Sequence, residues 1–406
     1  MRKAIVLTTA AVVAVSAVAA SVAGADSSRV SAPAAPSCKQ ALIALTGPYT
    51  GGAASAGLDQ RNWGRVFLSN WNAGKPIPGV PKGFKRTKLK AIEADTALNP
   101  QLAATVAVQL RSNKDVLAVN GFSGSQEVVA GGPILRRGGV AFVSGSATRA
   151  SLTDPTTPDG SVLKSGYFRR VVPTDKRQGL TVANFVMKKL GAGSGDQVMT
   201  VDQAESYSVP LISLITRTLE AGGVKVSRES QPTSQTDFSS LANKAVAQKA
   251  KVVVLGSQIA SNAQLFLQQL KAKGFSGQFI GTDGVFDSSQ FTVPGAYISS
   301  FSLDINDVPI AKPFVTEFEK RYDKTISFGA PSFIAVQAIA MGISASCADG
   351  KTSRNEVRRA IGDVKMATSL LGKPIAFDKL GDVVGGVGFT VFQIGSGGQY
   401  NVVQKG

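Results

Sequence analysis

The chain is 406 residues long with a formal net charge of +17, no histidine and two cysteines. Without histidine there is no Ser-His-Asp or Cys-His catalysis, no His-ligated zinc and no ordinary general base near neutral pH; the two cysteines stand far apart, which argues against a thiolate metal site. Carboxylate-only chemistry of the glycosidase kind stays open, but two Trp and six Tyr are few for a carbohydrate site, so neither an enzyme nor a bound cofactor is expected.

In chain order, Arg2 and Lys3 precede an Ala/Val-rich apolar run to Val22 and the small-residue exit Ala23-Gly24-Ala25, the pattern of a secretory signal peptide. Cleavage after Ala25 is expected, which places the mature chain outside the cytoplasm and leaves it a charge of +15, because Arg2 and Lys3 depart with the leader. A retained anchor is the competing reading, disfavoured by the high Ala content of the run. Residues 26–37 read as a Ser/Ala/Pro linker. In an oxidising compartment Cys38 and Cys347 permit one disulfide. Lipidation of Cys38 is the alternative, although Ala35-Pro36-Ser37 lacks the leucine typical of such sites.

Short apolar runs then alternate with amphipathic segments. Strands are expected at 41–45, 89–94, 116–120 and 140–144; Asn99-Pro100 reads as an N-cap followed by Pro at the first helical position, with Leu102, Val106 and Leu110 forming an apolar stripe. This βαβαβα order predicts a parallel sheet with helices on both faces. Residues 167–172 and Pro173-Thr174-Asp175 read as a crossing to a second unit, with strands at 197–201, 224–226, 251–255 and 278–281 and helices beginning near Tyr207, Phe238, Asn262 and Ser288. Helices are expected at 312–322, 331–346 and 355–363, and extended segments at 375–378 and 388–394. These helices need a sheet to cover, so the chain is expected to return to the first unit, and several crossings would make a hinge. The 381 mature residues fit two lobes at roughly 150 residues each: 38–172 and 302–384 for the first, 173–301 and 385–406 for the second.

The basic cluster Lys82, Lys85, Arg86, Lys88, Lys90 has only Phe84 interleaved and no accompanying nucleic-acid motif, so it reads as a solvated face and no nucleic acid partner is expected. Gly350-Lys351-Thr352 and Gly191-Ala192-Gly193-Ser194-Gly195 miss the glycines that phosphate-binding fingerprints require. The informative stretch is GFSGSQEVVAGGPILRRGGVAFVSGSATRASLT, residues 121–153. Strand ends there release Ser123, Ser125, Ser146 and Thr148 into turns, and carboxyl ends of parallel strands face the ligand crevice. Free N–H groups and hydroxyls at a helix start suit a small anion such as a carboxylate. Ser125 acting only as a helix cap and Ser146 and Thr148 acting only as turn residues remain equally open on local chemistry.

Several segments together, LTGPYTGGAASAGLDQRNWG, NPQLAATVAVQL, SATRASLT, YFRRVVPTDKRQG, QLFLQQLKAKGFSGQFIGTDG and KPIAFDKLGDVVG, resemble in order and spacing the leucine/isoleucine/valine-binding family of ABC-transporter solute-binding proteins. The resemblance covers essentially the whole mature chain. It implies an α/β fold of two doubly wound parallel-sheet lobes joined by a three-strand hinge (the type I periplasmic binding protein), monomeric, binding a small ligand such as an amino acid or related carboxylate and delivering it to a membrane permease. By resemblance, Ser123 or Ser125 with Thr148 would hold a carboxylate, Ser146 would offer its carbonyl, Asp283 would meet an ammonium and Tyr207 would close on the ligand. Asp283 as a plain Asp-Gly turn is the alternative. Gln258 stands where the family's branched-chain binders have an aromatic, and Ala56-Gly57 lies near another usual tyrosine, which implies a ligand more polar than leucine or a larger one. A non-transport sensor of the same fold is the runner-up.

Overall fold

Strand and helix alternate from Gln40 onward in the computed structural model, which describes residues 38–163, 166–385 and 388–405. The expected signal peptide and linker lie outside the described residues. The first run is β1 (Gln40–Gly47), α1 (Ala54–Asn72), β2 (Lys88–Asp95), α2 (Pro100–Ser112), β3 (Val116–Asn120), α3 (Ser125–Arg137), β4 (Ala141–Ser144) and β5 (Phe168–Arg170). The second is α4 (Asp175–Lys188), β6 (Gln197–Asp202), α5 (Ser208–Ala221), β7 (Lys225–Ser230), α6 (Ser239–Ala247), β8 (Val252–Leu255), α7 (Ala260–Ala272), β9 (Gln278–Gly281) and β10 (Tyr297–Ser300). The chain continues through α8 (Lys312–Tyr322), α9 (Ala330–Ser346), α10 (Arg354–Gly362), β11 (Lys365–Met366), β12 (Ile375–Phe377), β13 (Val383–Val384), β14 (Thr390–Ile394) and β15 (Tyr400–Gln404).

Three sheets result: a five-stranded one ordered β2-β1-β3-β4-β5, a seven-stranded one ordered β15-β14-β10-β9-β8-β6-β7, and a small antiparallel one of β11, β12 and β13. The first is parallel throughout. The second is parallel from β7 to β10, and β14 and β15 extend it antiparallel. β3, β4 and β8 are buried along their whole length, as strands covered by helices on both faces must be. The α2 start is made by Asn99, whose Oδ1 accepts the Leu102 N–H at 2.9 Å. α9 is apolar all round and buried from Ala330 to Ser344. It packs on α1, α10, β3 and β4, so the helices after the second sheet do return to the first. Among the described residues no helix is long and apolar enough to cross a membrane.

One expected element is absent. No helix starts near Ser288, because Asp287 Oδ1 takes the backbone N–H of Ser289 at 2.9 Å and its hydroxyl at 2.5 Å. That local bonding turns the chain, and Pro294 follows before β10. The short strands β10 and β15 and the pairs β11 and β13 are found where spacing alone gave no strand.

Cys38 and Cys347, 309 positions apart in the sequence, are joined in a disulfide, Cα to Cα 5.6 Å. The bond ties the approach to β1 to the end of α9. Closing so long a loop stabilises a fold by as much as about 4–5 kcal/mol through the unfolded chain. The Cys347→Ser variant is expected to unfold at clearly lower urea concentration, and thiol titration of the denatured, unreduced wild type to find no free thiol; two free thiols would contradict the bridge.

Candidate ligand cleft between the two sheets

Both parallel sheets repeat one strand order, second-first-third-fourth-fifth, as β2-β1-β3-β4-β5 and β7-β6-β8-β9-β10. In such a sheet the loops leaving the first and third strands diverge and open a crevice at the carboxyl ends. On the first sheet residues 48–53 and 121–124 flank that point; on the second, residues 203–207 and 256–259 do. Two glycines let these loops pass close to neighbouring backbone. A Cβ on Gly121, at φ +124°, would fall 2.7 Å from the Thr46 carbonyl oxygen, and one on Gly284, after β9, 2.4 Å from the Ser257 carbonyl oxygen.

The two crevices face each other across a cavity of about 30 Å³, room for about one water. Ser123, Ser125, Ser146 and Gln60 line it from the first lobe, and Tyr207, Gln258 and Asp283 from the second. Gln60, on α1, organises the serines: its Nε2 donates to Ser146 Oγ at 2.7 Å and its Oε1 accepts from Ser123 Oγ. Ser146 Oγ donates to the Ser123 carbonyl at 2.9 Å. The N-cap of α3 is Gly124, whose N–H bonds back to Glu127 Oε2 at 2.7 Å. Ser125 is therefore the first helical residue, and its Oγ accepts the Arg149 N–H at 3.2 Å. Thr148 is buried; its carbonyl accepts the Asp175 N–H at 2.8 Å, and its hydroxyl has no hydrogen-bond partner among the described residues.

On the second lobe Tyr207 Oη donates to Asp283 Oδ1 at 2.5 Å. Asp283 opens a short 3₁₀ turn, Asp283–Val285, so the turn reading and the cleft position hold together. Gln258 Nε2 reaches across to Gln126 Oε1 at 3.0 Å. The lobes are also joined by Arg149 Nη1 donating to the Ser206 carbonyl at 3.1 Å and by Ser55 with Asp287. Ala53, Ala56, Leu98 and Phe328 make the apolar part of the wall. Phe328 packs on Phe301 of the second lobe, ring centroids 5.4 Å apart. Its loop is pinned by Asp59, which accepts from Thr325 Oγ1 at 2.8 Å and the Gly329 N–H at 2.7 Å.

The sequence residues Ser123, Ser125, Ser146, Tyr207, Gln258 and Asp283 thus meet at one cavity, with Thr148 buried on the turn beside Ser146. Gln60, Gln126, Phe328 and Asp175 went unmarked. Asp175 stood within VPTDKRQG and Gln60 within AGLDQRNWG, while nothing local singles out Phe328. The Ser123 and Ser146 hydroxyls donate to a side-chain amide oxygen and a backbone carbonyl. Among the described residues no cluster of acids or cysteines is placed to hold a metal ion.

A family model described as periplasmic binding protein matches residues 41–399, and the chain belongs to that family. It is 24% identical to an amino acid binding protein of Pseudomonas aeruginosa, covering 84% of this chain and 87% of that one. Among solved structures it resembles a leucine binding protein from Thermotoga maritima (TM-score 0.75, 21% identity, 89% and 97% of the two chains). It also resembles a fatty acid ABC transporter substrate-binding protein from Thermomonospora curvata (TM-score 0.77, 18% identity, 91% and 93%).

Burial raises several acids here. Asp59 and Glu127 are pushed up to about 7 and Asp283 to about 6 by loss of solvent, and Asp175 is raised well above its usual range by burial and then by the Asp283 charge. Folded values above the unfolded ones mean that the native state binds more protons across this window, so stability falls as pH rises through it. Urea unfolding is expected to show a more stable protein at about pH 5 than at about pH 8; a profile rising toward pH 8 would contradict the assignment.

Proposed function

We propose that the protein captures a small amino acid by closure of its two lobes and delivers it to the membrane permease of an ABC importer. The observation that carries this reading is the separation of polarity across the cleft: hydroxyl-bearing turns of the first lobe, with Thr148 Oγ1 buried and unpartnered, oppose the Tyr207–Asp283 pair of the second. A carboxylate suits the first and an ammonium the second. Thr148 with Ser123 or Ser125 holds the carboxylate, Ser146 offers its carbonyl, and Asp283 meets the ammonium. The amide groups of Gln60 and Gln258 and the small side chains of Ala53 and Ala56 favour a side chain that is polar and uncharged over a branched aliphatic one. Amino acids named as ligands of relatives support the same class.

A cavity of about 30 Å³ admits such a ligand only when the lobes part, so the chain crossings near residues 171–174, 301–303 and 388–389 act as the hinge. Secretion behind a signal peptide cleaved after Ala25 would put the protein where an importer collects its solute.

Thermal shift and calorimetry against amino acids, their 2-hydroxy acids, amides and polyamines test the reading, since a ligand bridging both lobes stabilises the fold by about 2.7 kcal/mol at roughly 100 times Kd. Asp283→Asn is expected to weaken an ammonium ligand by over a hundredfold, the roughly 3–5 kcal/mol that follows from leaving a buried charge unpaired. Thr148→Val should cost about 1–3 kcal/mol with any carboxylate ligand. Normal binding by Asp283→Asn with loss in Thr148→Val would make the ligand an acid without an amine, and silence across the panel would defeat the transport role.

A further inference from the structure

Asp175, the first residue of α4, is 4% exposed, and neither of its carboxylate oxygens has a hydrogen-bond partner among the described residues. An unpaired buried carboxylate is costly unless a cation or a proton neutralises it. The groups facing it are Asp283 and Tyr207 from the cleft, Glu205 from the loop before α5, and Arg170 at the end of β5. On its own helix Lys176 turns outward toward Asp154 at 3.9 Å, and Arg177 lines a separate hollow with Asp382, Val383 and Val384.

Neither nearby guanidinium is available to Asp175. Arg170 is committed to Asp382 at 2.7 Å, to Thr153 Oγ1 and to the carbonyls of Ala147 and Arg149. Arg149 is committed to Asp159 at 2.9 Å, Ser151 Oγ and the Ser206 carbonyl. Glu205 is spent on the backbone N–H groups of Tyr207 and Ser208. Thr148, whose carbonyl accepts the Asp175 N–H at 2.8 Å, has a buried hydroxyl that is itself without a hydrogen-bond partner among the described residues. One turn further along α4, Gln178 Nε2 donates to Ser299 Oγ at 2.8 Å on β10, beside the end of β9 that leads into Asp283, so the start of α4 meets the Asp283 turn; the two buried acids share this corner with the Tyr207 phenol, and among the described residues neither is ion-paired. Asp175 also lines a groove of about 650 Å³ between the lobes, with its carboxylate oxygens turned away from the open space.

The geometry points to Asp175 as a second carboxylate of the cation subsite: the pair holds one proton between its carboxyls until a ligand ammonium enters, and binding expels that proton to solvent. This rests on the amino-acid reading above and narrows it to ligands that carry a cationic nitrogen. The balance is simple. The ligand keeps all of its N–H bonds, one carboxyl O–H breaks, and the buffer takes the proton. Two adjacent acids in a dry site cannot both ionise without a counter-charge, and burial raises both.

Calorimetry of the intact mature protein with L-threonine, L-glutamine and L-leucine, each beside its 2-hydroxy acid, in phosphate and in bis-Tris buffer, which both take up protons near pH 6 but with different heats, tests this. At about pH 6 close to one proton should be released per amino acid bound, and Kd should tighten by up to about tenfold per pH unit on raising the pH through that region. The hydroxy acids should release none. Asp175→Asn should abolish the release, flatten the pH profile and weaken amino acids by roughly tenfold at about pH 8, with little change for hydroxy acids. Amino-acid binding in the wild type with no buffer dependence would overturn the inference whether or not the variant folds, and so would unchanged proton release in a folded Asp175→Asn. Failure of every amino acid to bind would instead defeat the reading on which it rests.

Discussion

The buried guanidinium of Arg170 is the interaction on which the cleft depends. It is fully enclosed at the end of β5, where the chain leaves the first sheet. Four of its N–H donors go to Asp382, Thr153 and the carbonyls of Ala147 and Arg149. The turn from 147 to 153, the first chain crossing and the loop between β12 and β13 are thereby fixed to one planar group. Thr153 Oγ1 also bonds Asp382, at 2.9 Å. Such a fork has one low-energy arrangement, so the turn that carries Thr148 is set by the same residue that starts the hinge.

From that anchor the polar wall of the first lobe follows. Ser144 Oγ accepts the N–H of Ser146 and of Ala147 and donates to the Phe122 carbonyl at 2.6 Å, locking the turn after β4 to the turn after β3. Gln60 then spans both from α1. The second lobe needs less: one turn supplies Asp283 and another supplies Tyr207, and their mutual hydrogen bond holds the phenol over the cleft. The first lobe is a rigid rack of hydroxyls, and the second a pair of groups brought to it.

The fold was legible wherever burial on two faces left long apolar runs, as in β3, β4 and β8, and wherever a cap residue marked a helix start, as at Asn99. It was illegible where pairing partners decide the outcome. β10 is four residues long and owes its place to β9 on one side and β14 on the other. β15 exists because β14 offers it an edge. Asp287-Ser288-Ser289 carries the residues of a helix start, and the aspartate uses the same hydrogen bonds to close a turn. In the cleft, the serines were visible because a turn after a parallel strand can face only one way. Phe328 was not, because its position is dictated by Asp59, 269 residues earlier, through bonds that no local pattern announces.

The repeated strand order has a consequence for affinity. Each lobe offers half of a recognition surface, and neither half alone encloses a small molecule. Because the halves are tethered, a solute held as proposed on the serine turns would meet the opposing lobe at an effective concentration on the order of millimolar or above, as for any pair of sites on a short linker. Capture is then chelation by the protein: two weak contacts become one strong one at the rate at which a hinge swings, and release needs only that the tether be drawn open.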